Sequence, residues 1–168
     1  MKRRTLLTVG LATGLVLAVA GGSLALIQPA RREGKLTERG RAVFAALSPA
    51  VLDALLPLGE VARRAAIQAH LGRIEATIAG MPPAMQAEVD ELITLIGSAG
   101  GRLALVGLRR DWSEASTAEI TSALQGLLES SLALRQQVFH ALRDLTISAY
   151  MSDPATWVAI GYPGQRPV

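Results

Sequence analysis

From residue 35 onward the apolar side chains recur at helical spacing, and no segment alternates as a half-buried strand does. That periodicity limits the chain to an all-α architecture. It predicts a single compact domain of five or six helices with an irregular C-terminal tail, behind an N-terminal signal or anchor helix. A short helix is expected over residues 36–47. Ser48-Pro49 then reads as a second start, with Ser as N-cap and Pro in the first turn, followed by the apolar face Val51, Leu52, Leu55 and Leu56. Pro57 should stop or kink that element. The spacing next predicts a helix over 58–79, with Ala62, Ala66, Ala69 and Ile74 inward and Arg63, Arg64, Arg73 and Glu75 outward. Pro82-Pro83 opens the following helix, whose buried side is read as Met85, Val89, Leu92, Ile93 and Ile96. After the apolar run 103–108 comes a polar connection holding Trp112. Ser116 and Glu119 form a capping box that starts a helix ending near residue 128. A last long helix covers about 130–149, and Asp153 caps a short one beginning at Pro154. No internal repeat is evident.

Composition removes most chemistry. Among 168 residues there is no Cys, which excludes disulfides, thiolate metal sites, iron–sulfur clusters and a cysteine nucleophile. The two histidines, His70 and His140, cannot by themselves complete a four-ligand metal site. Dinucleotide, phosphate-loop, zinc-protease and nucleophile-elbow motifs are all missing. His140 and Asp144 stand four apart on one predicted helix, where they could form a tautomer-fixing pair or an ordinary solvated one. His70 reads as a packing or surface residue, and the adjacent Asp90 and Glu91 point to different sides of their helix. The sequence therefore predicts no catalytic residue, no metal and no cofactor bound by this chain.

The net charge of +3 is carried by Lys2, Arg3 and Arg4, because basic and acidic residues balance over the remainder. Basic residues in the body are scattered as Arg pairs rather than gathered into a stripe, which speaks against nucleic-acid binding. Behind KRR, residues 5–30 contain no charge. A basic start and a long apolar run make residues 1–30 a leader rather than part of the fold. Arg3-Arg4 followed by Thr5-Leu6-Leu7 fits the twin-arginine export pattern, and Gly10, Gly14, Gly21 and Gly22 give the run a mild hydrophobicity. Lys2 stands where Ser or Thr is usual. An ordinary secretory signal, or an uncleaved anchor over residues 5–27, is the other reading, since that length can span a bilayer core. Each reading places the body on the periplasmic face. The domain proper is expected over 31–168.

Four of the six aromatic residues lie beyond position 138: Phe139, Tyr150, Trp157 and Tyr162. Together with Pro154, Gly161, Pro163 and Gly164 they suggest either a rigid partner-binding surface over 138–168 or a closure of the core. The stretch FHALRDLTISAYMSDPATWVAIGYPGQ resembles the closing segment of the gluconate 2-dehydrogenase subunit 3 family. Phe139, Leu142, Leu145, Tyr150, Asp153-Pro154, Trp157 and Gly161-Tyr162-Pro163-Gly164 carry the likeness over about residues 138–165. Met151 and Gln165 depart from it, standing where a second aromatic and a proline are frequent. Members commonly begin with a twin-arginine signal. The resemblance implies a non-catalytic small subunit that binds, stabilises and co-exports an FAD-dependent dehydrogenase of the glucose–methanol–choline (GMC) type. The FAD would reside in that large subunit, a cytochrome c subunit can receive the electrons, and the twin-arginine translocase would be a second partner. Phe139, Tyr150, Trp157, Tyr162 and Pro163 are the expected docking residues. The alternative is a stand-alone, membrane-anchored periplasmic helical protein with a binding or structural role.

Overall fold

The computed structural model describes residues 28–162; Arg3, Arg4, Leu6, Leu7, the anchor stretch 5–27 and Pro163 lie outside them. The described chain is predominantly helical, in agreement with the all-α reading. Its long helices are α1 (Glu38–Leu52), α2 (Glu60–Ala79), α3 (Pro83–Gly97), α4 (Thr117–Leu128) and α5 (Ala133–Met151). Among the described residues no single helix is long and apolar enough to cross a membrane.

The bundle is organised around α1, which packs against each of the other four. None of its residues from Gly40 to Leu52 is exposed, as expected of a helix surrounded on all sides. Phe44 and Leu47 from α1 meet Ile74 and Ile78, Ile93 and Ile96, Ile120 and Leu127, and Leu142 in one continuous core. The enclosure explains why α1 does not break at Ser48-Pro49. The expected helix start there is not formed; both residues lie inside one helix. Ser48 is fully buried and its hydroxyl donates to the Phe44 carbonyl at 2.6 Å, so it returns a bond to its own helix instead of capping a new one. The chain turns after Leu52 through a 3-10 turn, Asp53–Leu55, and α2 departs at a bend of 117°.

Three further expectations are corrected by packing. The buried stripe of α2 is His70, Leu71, Ile74, Glu75 and Ile78, while Ala62 and Ala69 are exposed. Alanines occur on every side of this helix, so its few large apolar residues decide which side turns inward. Met85 of α3 is about half exposed, because only the second half of that helix reaches the core. Trp112, placed in a polar connection, is buried with its indole N–H donating to Ile96 O at 2.8 Å.

A two-stranded antiparallel hairpin precedes α1, with β1 (Arg31–Arg32) paired to β2 (Lys35–Leu36). Glu33 and Gly34 both have positive φ, 51° and 78°, which is the geometry of a type I′ hairpin turn. Strands of two residues cannot display alternation, so periodicity could not reveal them. Ala30, assigned to the leader from sequence, is fully buried in the core. Its N–H donates to Thr94 Oγ1 at 3.0 Å and its carbonyl accepts from Thr37 N at 2.9 Å. Buried Glu75 accepts from Leu36 N at 3.0 Å and pairs with Lys35 and Arg41. The hairpin is thus tied to α1, α2 and α3.

The local stop and start signals between helices form as expected. Ser116 and Glu119 make the reciprocal capping box of α4. Between α3 and α4 the apolar run 103–108 folds as a wide π turn, Arg102–Val106, closed by left-handed Gly107.

Candidate functional site

The C-terminal segment is built on the end of α5. Asp153 accepts from Ala155 N at 2.9 Å and starts the 3-10 helix Pro154–Ile160, which Gly161 ends at φ 71°. Asp153 also pairs with Arg73 of α2 at 3.1 Å, and Thr156 Oγ1 donates to Asp153 O at 2.7 Å. Trp157 folds back so that its indole N–H donates to Met151 O at 2.8 Å, and Tyr162 stacks edge-on against it at 5.3 Å between ring centroids. One indole is thereby held by a hydrogen bond at its polar edge and by an edge-to-face contact with a phenol ring.

Of the expected docking residues, the structure brings Trp157 and Tyr162 together at this end, half-buried and exposed respectively. Tyr150 is instead inside. Only 5% of it is exposed, its hydroxyl donates to Leu55 O at 2.7 Å, and its ring sits 5.6 Å from His70 with Arg73 over one face. It joins the end of α5 to the middle of α2 and to the turn after α1, so it is a structural clasp rather than a surface anchor. Phe139 is half-buried against the main core, a helix length away.

The residues that sequence reasoning missed are the apolar ones around the Trp157–Tyr162 pair. Leu58 is 99% exposed, Val61 84% and Val158 80%, with Ile160 and Tyr162 about half exposed. Leu58 and Val61 follow directly on the turn Asp53–Leu55, which packs against Pro154–Ile160. The segments that carry all five thus come together where α1 finishes. Scattered exposed apolar residues are ordinary, but five large ones at one end form a patch of the kind used for association. Leu58 and Val61 fall at the start of the helix expected over 58–79, where the spacing assigns them no face, and they lie just past the 117° bend.

The possible catalytic pair is not assembled. Asp144 pairs with its neighbour Arg143 at 3.2 Å, and His140 lies edge-on to Phe139. His70 is fully buried, and neither ring nitrogen has a partner among the described residues. Burial, with the Arg73 cation second, lowers its pKa to about 4, so the ring is neutral near pH 7.

Comparison with family models, with curated proteins and with solved structures returned no match to this chain.

Proposed function

We propose that this chain is the non-catalytic small subunit of an FAD-dependent GMC-type dehydrogenase, which it stabilises and carries through the twin-arginine route to the periplasmic face. The observation that carries the reading is the exposed apolar end formed by Leu58, Val61, Val158, Ile160 and Tyr162 around the locked Trp157. Interface centres are enriched in Trp and Tyr, packed among apolar contacts that exclude water. The position of this end suits the role. The described chain enters beside Gly40 at the start of α1, whereas the apolar end lies past Leu52. The 15 residues of α1 separate the two by about 22 Å. A leader held by the export machinery would leave the docking end free for cargo.

Two substitutions at the most exposed positions test the docking surface without disturbing the core. Leu58→Asp with Val158→Asp should leave helicity intact and change stability by no more than about 0.5 kcal/mol. Flavin co-purifying with the tagged chain from native membranes should fall about a hundredfold, as expected when two interface positions each lose about 1.4 kcal/mol. Undiminished flavin recovery with this variant and with Trp157→Ala/Tyr162→Ala would refute the assignment.

Export is tested separately. Replacing Arg3 and Arg4 together with Lys keeps the charge and removes the paired guanidinium groups. The flavoprotein should then accumulate in the cytoplasm although its own sequence is unchanged. Normal periplasmic recovery would rule out carriage by this chain.

A further inference from the structure

A cleft of about 340 Å³ lies between the end of the π turn and one face of α4, remote from the aromatic end of the bundle. Its helical wall is Glu119, Ser122, Ala123 and Gly126, whose spacing places them on a single face. Two glycines leave its floor open. Gly107, at φ 82°, closes the π turn by donating its N–H to Arg102 O at 3.0 Å. A Cβ on Gly107 or on Gly126 would lie 3.7 or 4.0 Å from the same atom, Nη2 of Arg135. The guanidinium of Arg135 therefore spans the gap between the π turn and α4.

Arg135 is oriented from behind. Its Nε donates to Leu105 O at 3.0 Å, which fixes the plane of the group and directs its terminal nitrogens to the cleft. No carboxylate pairs with Arg135 or with Arg109, the second arginine of the cleft, among the described residues. The one acid in the lining is already engaged. Glu119 Oε2 accepts from Ser116 N at 2.9 Å and from Ser116 Oγ at 2.8 Å, and Oε1 lies 3.4 Å from Arg110. These Ser116 donors hold the carboxyl below the usual range, so it stays charged and bound to its own cap. The cleft thus presents two arginines without a carboxylate partner, one of them pre-oriented, and the Ser122 side chain beside a floor opened by two glycines. A planar fork of N–H donors matches the oxygens of a tetrahedral anion, and two cations balance a dianion better than a single carboxylate.

We propose that this cleft binds a phosphate group, with Arg135 as the oriented fork and Arg109 as the second cation. The site is independent of the docking role. The phosphate comes either as a free small molecule or as a phospholipid headgroup.

Titration of the purified full chain with inorganic phosphate at constant ionic strength, followed by calorimetry, should show saturable one-site binding. Arg135→Gln should weaken it at least about tenfold, the loss of one charge-assisted contact. Arg109→Gln should weaken it less. Gly126→Glu has room for its side chain and would place a carboxylate beside Arg135, so it should abolish phosphate binding while raising Tm. Vesicles of phosphatidylglycerol and of phosphatidylcholine distinguish the sources. Retention on the former alone, lost in Arg135→Gln and competed by phosphate, assigns the headgroup; phosphate binding without vesicle retention assigns the free ligand. No saturable binding in either arm, or binding by Arg135→Gln and Gly126→Glu as tight as by the parent chain, would overturn the proposal.

Discussion

Replacing Gly40 with alanine is expected to peel the hairpin 31–36 off α1 and to lower stability by about 3 kcal/mol, near the upper end for forced overpacking. The reason is local and severe. A Cβ on Gly40 would overlap the Ala30 carbonyl oxygen, and that oxygen is backbone already held by Thr37 N. No rotamer change relieves the overlap. Relief requires moving Ala30, which is fully buried, together with the Arg31 guanidinium, whose Nη1 lies 2.9 Å from both Asp90 oxygens. The better helix propensity of alanine offsets about 1 kcal/mol of the cost, so the clash itself is larger than the net effect. Gly72 is the control. It also lies inside a helix, but a Cβ there meets nothing within 4 Å, and Gly72→Ala should stabilise by up to about 1 kcal/mol. Urea denaturation of both variants measures the two signs. Hydrogen exchange at Thr37 should accelerate in Gly40→Ala alone. Equal stability of the two variants would show that the hairpin is not seated on α1 as described.

Acidification should destabilise the domain in a window set by His70. Its folded pKa lies near 4 against about 6.5 when unfolded, so between these values the unfolded chain binds the extra proton. Stability then rises with pH across the window. The His70 contribution is complete above about pH 6.5 and is lost as pH falls toward 4, by about 3 kcal/mol in all. Carboxylates add their own pH dependence at the acid end, so the informative quantity is a difference between variants. His70→Leu should abolish this part of the pH slope. Because neither ring nitrogen of His70 has a partner, the variant should also be at least as stable as the parent at pH 7, despite the altered core shape. Identical pH slopes in parent and variant, measured by denaturation from pH 4 to pH 7, would contradict the described burial.

The tertiary structure moved some side chains from where spacing had placed them and left others alone. Ser116 with Glu119 and Asp153 with Pro154 act within three or four residues of themselves, and each starts an element as read. Pro49 carries an equally local signal, yet it is overridden, because enclosure of α1 by the other helices outweighs one missing N–H. The exposed end was half legible. Trp157 and Tyr162 stood out by residue type, whereas Leu58, Val61 and Val158 are apolar residues in apolar surroundings along the chain. Only their isolation from the core distinguishes them. Tyr150 shows the opposite case, a residue of interface type drawn inside by the Leu55 carbonyl and the buried imidazole.

What the amino-acid order determined by itself is the class of structure and the placement of most breaks: helical periodicity, capping chemistry and the lack of cysteine all act over a few neighbouring residues or over none. What only the tertiary structure decided is facing. Which side of α2 turns inward, that Ala30 belongs to the core, that an arginine lies across two glycines, and that five apolar side chains share one exposed end depend on segments distant in the chain. Burial free energy is set by the atoms that surround a side chain, and in a bundle most of those atoms come from other helices.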